Sequence, residues 1–175
     1  MKHYHYQKKL RELWEHAVAT YRNGNRDANT YFDNNQLEWM AENGLKIMDM
    51  YDFAEDYVSQ EEPDFETFLL IHDVRRNYLL HVQKGETSAE VLDVDSIPAK
   101  TDQVEGIEWL PRIIPKAKAK LKGELPPEMM FCCGGDRRFF KTHDIHPAEF
   151  LRVVWANMED DSKTIAWVKQ RSSES

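Results

Sequence analysis

The stretch that decides the fold is PDFETFLLIHDVRRNYLLHVQK, residues 63–84. Pro63 and Asp64 are typical of a helix start, and Gly85 is typical of a helix end. At 3.6 residues per turn, the non-polar stripes of this segment fall on two sides of the helix. They comprise Phe65, Phe68, Leu69, His72, Arg76 and Leu79 on one side and Leu70, Ile71, Val74, Tyr78 and Val82 on the other. A helix that is apolar on two sides is usually packed between other elements, so a central buried helix is predicted over 64–83.

Helical patterns of apolar residues continue on both sides of this segment. They cover residues 6–21, 33–43, 48–58, 108–122, 136–142 and 147–155, and a last helix begins at Asp160 or Asp161. No run of strands is strong enough to build a sheet. The predicted fold is therefore all-α, a compact single-domain bundle of about six to eight helices over residues 1–175. Residues 1–22 are a candidate N-terminal helical arm, and residues 86–106 are predicted to be a long surface loop.

Composition limits the classes of function. The 175-residue chain has a net charge of -8, which disfavours general binding to nucleic acid or anionic membranes. No run approaches the roughly 20 apolar residues of a membrane span. Cys132 and Cys133 are adjacent and do not form the framework of a secreted disulfide protein, and the N-terminal MKHYHYQKKL lacks the apolar core of a signal peptide. We expect a cytoplasmic protein that needs no cofactor.

Three stretches together resemble a known family. They are LKIMDMYDFAEDYV (45–58), VEGIEWLPRIIPKAKAKLKGELP (104–126), and CGGDRRFF followed by IHPAEFLRVVW (133–140 and 145–155). The set resembles a bacterial family known only as a domain of unknown function, number 5069, over roughly residues 37–170. This resemblance implies a small, mainly helical, cytosolic protein with no established activity, and it brings no catalytic residues to the chain.

His72 and Arg76 form the first candidate site, one helical turn apart on an apolar stripe. A charged side chain in such a place needs a partner. One interpretation is a pocket for a small anionic molecule, with Arg76 as a forked donor and His72 as an acid, base or donor. The alternative is structural: Arg76 pairs with an acid of the 48–58 helix (Asp52, Glu55 or Asp56), and His72 bonds a backbone carbonyl.

The second candidate site is the turn Cys133-Gly134-Gly135-Asp136 with the two arginines that follow, Arg137 and Arg138. Glycines before a helix allow backbone N–H groups to converge on an anion, and a helix start favours a reactive thiol. The alternative is a tight turn with Cys133 as a small buried hydrophobe and Asp136 as the helix cap. The segment lacks the Lys-Ser/Thr of a phosphate-binding loop.

Two further sets of residues favour ordinary structural roles. His143, Asp144 and His146 match no standard spacing of metal ligands, and Asp144 and His146 are natural caps for a helix that opens at Pro147. No metal site is therefore expected. The four lysines at 116, 118, 120 and 122 spread around a helix and are predicted to be a solvated face.

The leading hypothesis is a protein that binds a small acidic ligand or a protein partner. The alternative is an enzyme of unknown reaction that uses a cleft between the central helix and the CGGDRR turn, where His72, Arg76 and Cys133 or Asp136 would converge. The sequence names no reaction, partner or oligomeric state.

Overall fold

A computed structural model describes residues 3–174 and shows an all-α protein. Within that range it contains eight α-helices and one short antiparallel hairpin. In chain order the elements are α1 (Tyr6–Arg22), α2 (Asn34–Glu42), α3 (Ile47–Gln60), α4 (Phe65–His81), β1 (Gln103–Val104), β2 (Ile107–Glu108), α5 (Leu110–Lys122), α6 (Gly134–Thr142), α7 (Pro147–Ala156) and α8 (Asp161–Glu174). The predicted fold class and number of helices are confirmed.

The chain separates into two compact units, residues 1–76 and residues 77–175. The boundary falls within α4, whose helical backbone continues from Phe65 to His81. The prediction of a single domain stays a prediction.

In the first unit, α1 packs along α3. The predicted stripe of α1 is buried, and the Trp14 ring lies 4.8 Å from the Tyr57 ring and 5.4 Å from the Phe65 ring. Helix α2 starts with a capping box. Asp33 accepts a hydrogen bond from the Gln36 amide, and the Gln36 side chain accepts one from the Asp33 amide.

Helix α4 has one wide buried face rather than two separate apolar sides. At 100° per residue its nine buried residues occupy a continuous arc of about 200°, with Arg75 near the middle. Leu70 falls outside this arc and is 40% exposed, and Val82 follows the helix end. Nine of 17 residues are buried in α4, against eight of 13 in α5, so α5 has the larger buried share.

In the second unit, α5 packs on α7, and α7 contacts α8. Helix α5 starts after Trp109, which adopts a left-handed φ of 71°, and contains Pro115 in its interior. The predicted solvated face of lysines is wrong at two positions, because Lys116 and Lys120 are buried. Eight of the 13 residues of α5 are buried, so the buried surface of this helix is wide enough to include both lysines.

The segment 86–106 is mostly exposed and contains a short 3₁₀ helix, Val94–Ser96, before β1. Hydrogen bonds fix it to the unit: the Leu92 amide donates to the Glu124 carbonyl (2.8 Å), and Arg112 Nη1 donates to the Pro98 carbonyl (2.8 Å). Helix α7 begins as predicted, with the His146 ring accepting from the Ala148 amide at 3.1 Å.

Candidate functional site

The predicted site residues lie in two polar clusters, one in each unit. The Arg76 cluster of the first unit consists of Arg76 and the residues that it contacts, His3, Tyr6 and Asn43, and His72 lies one turn before Arg76 on α4. The Asp136 cluster of the second unit consists of Trp109, Lys116, Cys132, Cys133, Asp136 and Arg137. Cys133 and Asp136 both contact Lys116, whereas His72 contacts Phe68 and Asp49 and Arg76 contacts Asn43 and His3.

Arg76 is only 7% exposed and contacts neutral groups. Its Nε donates to Asn43 Oδ1 at 2.6 Å, and its Nη2 lies 2.7 Å from His3 Nδ1. Because a guanidinium has no acceptor atom, His3 Nδ1 must accept this hydrogen bond. The guanidinium also lies 4.4 Å above the centre of the Tyr6 ring, a cation–π contact.

The ion pair that the structural alternative assigned to Arg76 is not formed. Across residues 3–174, no carboxylate lies within the 4.0 Å of an ion pair from this guanidinium. Glu55, one of the expected partners, instead accepts a hydrogen bond from the Tyr21 hydroxyl at 2.7 Å, which raises the pKa of Tyr21 to about 12. The side-chain amide of Asn43, at the C-terminal end of α2, occupies the place expected for an acid.

His72 is fully buried and has the backbone bond that the structural alternative predicted. Its Nδ1 lies 2.8 Å from the Phe68 carbonyl oxygen, which can only accept, so Nδ1 carries the proton. Its Nε2 lies 3.6 Å from Asp49 Oδ1, and its ring centre lies 4.1 Å from that of Phe68. Both ring nitrogens of His72 therefore face groups of the protein, which is typical of a structural histidine.

Tyr6 is a member of the Arg76 cluster that sequence reasoning missed. Its hydroxyl is buried and has no hydrogen-bond partner in the described part of the chain. Burial raises the pKa of Tyr6, and the charges of Asp73 and Asp49 add to this effect, whereas Arg76 opposes it. The sequence pattern assigns Tyr6 no role beyond the start of the first helix.

Asp136 is the centre of the second cluster and is completely buried. Its Oδ2 lies 2.6 Å from Lys116 Nζ and accepts from the Cys132 amide at 2.9 Å. Its Oδ1 accepts from Trp109 Nε1 at 2.9 Å. The expected role of Asp136 as a helix cap is wrong: Cys133 is the N-cap of α6, and the carboxylate turns to α5 to neutralise a buried ammonium.

The two cysteines differ in their surroundings. Cys132 is buried, and burial together with the nearby charge of Asp136 raises the pKa of its thiol. Cys133 is partly exposed, and its Sγ lies 3.6 Å from Lys116 Nζ. Arg137 is buried and donates from Nη1 to the Cys132 carbonyl at 2.8 Å, whereas Arg138 is exposed.

The two glycines of the turn also have different roles. A Cβ on Gly135 would lie 2.4 Å from Trp109 Cζ2, so this position admits no side chain while the indole stays in place. A Cβ on Gly134 would meet only Arg137 Nη2, at 3.8 Å. Gly135 therefore allows the close approach of the Trp109 ring that brings its N–H to Asp136.

Residues 95–175 match the family model of a domain of unknown function, DUF5069. The predicted resemblance to this family is thereby shown over that segment, while the stretch 45–58 lies outside it. No curated protein and no solved structure matches the chain. The DUF5069 segment contains α5 to α8 and the whole Asp136 cluster, and the Arg76 cluster lies before it.

Other features of the described residues add no third cluster. No group of three His, Cys, Asp or Glu side chains there could hold a metal ion. A depression of about 250 Å³ on the first unit is lined by His5, Lys8, Lys9 and Glu12, none of which is a predicted site residue. No helix between residues 3 and 174 combines the length and apolar character needed to cross a bilayer.

Proposed function

We propose that this protein binds a small anion, a carboxylate or a phosphate ester, through Arg76. The observation that supports this most is a guanidinium that is 7% exposed and is contacted by an amide, a histidine ring and a phenol ring. A buried charge is costly unless an opposite charge or a full set of hydrogen bonds compensates it. A ligand anion would supply the charge that these partners lack.

The donors of Arg76 leave capacity for such a ligand. The hydrogen bonds found among the described residues use Nε and Nη2, so the two N–H groups of Nη1 are available. His3, which faces Nη2, is an exposed residue at the start of the described chain. Movement of its ring would present both terminal nitrogens, the fork that binds a carboxylate or phosphate through two parallel hydrogen bonds.

The surrounding groups favour binding over catalysis. The Nδ1–H of His72 is committed to a backbone carbonyl, so this ring is poorly placed to transfer protons to a ligand. The ring of Tyr6 faces the guanidinium, and its buried hydroxyl has no hydrogen-bond partner among the described residues. We therefore infer a binding protein, and its two free cysteines fit a reducing compartment such as the cytoplasm.

The charge of the ligand follows from the acids around the cluster. Asp49 and Asp73 lie close enough to Tyr6 to influence its pKa. Asp49 is also held by the Lys46 amide, to which its Oδ2 lies at 2.8 Å. These fixed negative charges oppose a multiply charged ligand, so a group with a single negative charge is favoured.

Thermal unfolding with an anion panel tests this proposal. Acetate, succinate and inorganic phosphate are compared with chloride at equal ionic strength, using wild type, Arg76→Met and Arg11→Met. Arg11 is the matched control, because it is an exposed arginine of the same unit that pairs with Glu66 and stacks on Phe65. An anion at 100 times its dissociation constant stabilises the folded state by about 2.7 kcal/mol.

The expected result is a rise in Tm for wild type and Arg11→Met with at least one singly charged anion, and no rise for Arg76→Met. Equal shifts in all three proteins would indicate general salt effects. That outcome, or no shift in any of them, would overturn the proposal.

A further inference from the structure

We propose that Cys133 and Lys116 form a peroxide-responsive modification site, in which the oxidised Cys133 sulfur is captured by the Lys116 amine as a sulfenamide. This site lies in the DUF5069 segment and is independent of anion binding at Arg76.

The geometry places a nucleophilic nitrogen beside a thiol. Lys116 Nζ lies 3.6 Å from Cys133 Sγ and 2.6 Å from Asp136 Oδ2. Lys116 is 3% exposed, so its ammonium is confined between the sulfur and the carboxylate. A confined nitrogen loses little conformational entropy when it forms a bond to a neighbouring atom.

Access separates the two thiols. Cys133 is partly exposed at the N-cap of α6, so a molecule as small as hydrogen peroxide can reach its sulfur. The thiolate is the form of a cysteine that peroxide oxidises. Cys132 is buried beside the Asp136 carboxylate, and burial together with that negative charge raises the pKa of its thiol.

The chemistry balances with one molecule of hydrogen peroxide. The Cys133 thiolate attacks a peroxide oxygen, the O–O bond breaks, and a sulfenic acid and hydroxide result; sulfur is oxidised and peroxide is reduced. Lys116 gives a proton to Asp136, and its neutral amine attacks the sulfur. An S–N bond forms and the S–O bond breaks. The departing hydroxide takes one of the two N–H protons and leaves as water, and the sulfenamide nitrogen keeps the other. A thiol reductant reverses the product by cleaving the S–N bond.

The carboxylate explains why this lysine is suited to the step. An ammonium has no lone pair, so Lys116 must lose a proton before it reacts. Asp136 Oδ2 is within hydrogen-bond distance of that proton and is shielded from solvent. Capture also removes the buried ion pair, so the cross-linked protein should be less stable than the reduced one.

Peptide mass spectrometry after mild peroxide treatment of the full chain is the test. We expect a reversible product two hydrogens lighter, in which the peptides of Cys133 and Lys116 are joined. A Cys132–Cys133 disulfide has the same mass, so the Cys132→Ala variant distinguishes them and should retain the product. Lys116→Arg keeps the positive charge beside Asp136 but lacks a nucleophilic amine. It should instead accumulate a sulfenic acid at Cys133 that a dimedone probe traps.

Folding of both variants is checked by circular dichroism before oxidation. The proposal is overturned if the lighter product disappears in Cys132→Ala or persists in Lys116→Arg. It is also overturned if wild-type Cys133 gains oxygen without becoming linked to Lys116, or if the bridge retains an oxygen atom between sulfur and nitrogen.

Discussion

The Arg76 cluster and the Asp136 cluster each contain a buried cation on a helix, but the partners of the two cations differ. Lys116 Nζ lies 2.6 Å from a fully buried carboxylate that also accepts two N–H groups. Arg76 lies against an amide oxygen and a histidine nitrogen. Burial alone therefore does not identify a binding site. The informative property is whether the charge is already compensated by the protein.

This difference separates the two sets of predicted site residues. The CGGDRR turn was considered an anion cradle, yet Asp136 itself is the anion at the start of α6. The Cys133 thiol is the group of that cluster that can still react. In the Arg76 cluster, by contrast, an anion is what the described partners do not provide.

The largest expected effect is that of Asp136→Ala. The change would leave the Lys116 ammonium buried without its carboxylate and would remove the acceptor of the Trp109 and Cys132 N–H groups. Breaking a buried pair costs about 3–5 kcal/mol. Urea denaturation, monitored by circular dichroism, measures the loss in the free energy of unfolding. A cost below about 1 kcal/mol would show that Asp136 does not hold this cluster together.

A smaller effect is expected for Gly135→Ala, with Gly134→Ala as its matched control. The added Cβ at 135 would meet the Trp109 ring at 2.4 Å, and forcing such a contact costs about 1–3 kcal/mol. At 134 the site is open, so the better helix propensity of alanine should leave stability unchanged or raised by up to about 1 kcal/mol. Melting temperatures that fall equally in both variants would remove the assigned role of the Trp109 contact.

The smallest expected effect is on the pH dependence of stability, and it comes from His143, a residue outside both clusters. Burial lowers the pKa of His143, whose Nδ1 lies 2.7 Å from Ser172 Oγ. The unfolded chain then binds this proton more readily than the folded one, so the contribution to stability is lost as pH falls below about 6.5. His143→Gln should show a slightly flatter fall in Tm between pH 7 and pH 5 than wild type. An identical profile would exclude His143 as a contributor.

Short-range signals made much of the fold predictable. The capping box of Asp33 and Gln36, and the start of α7 at His146-Pro147, depend on residues within three positions of one another. The site partners depend on long-range contacts. Asn43 is 33 positions from Arg76, and Lys116 is 20 positions from Asp136. No local pattern shows that an amide meets one cation and a carboxylate meets the other.

The same limit explains the errors on helix faces. Leu70 appeared to belong to a second apolar side, but neighbours cover a single wide face of α4, with Arg75 near its middle. Lysine side chains are mostly exposed in proteins, so Lys116 and Lys120 were expected at the surface. Both are buried, and Lys116 pairs with the buried Asp136. Periodicity identifies a helix, and only its packing determines how much of its circumference is buried.

The most direct test of the central claim compares Arg76→Met with Lys116→Met in the free energy of unfolding, measured in urea without added multivalent anions. Both changes replace a buried cation by the same apolar side chain. Lys116→Met strands the Asp136 carboxylate and should cost about 3–5 kcal/mol. Arg76→Met removes the donor of the exposed His3 ring and of the amide oxygen of Asn43, a residue that is 2% exposed, and should cost about 1–3 kcal/mol. A loss for Arg76→Met equal to or greater than that for Lys116→Met would contradict the account and make Arg76 an internal structural tie.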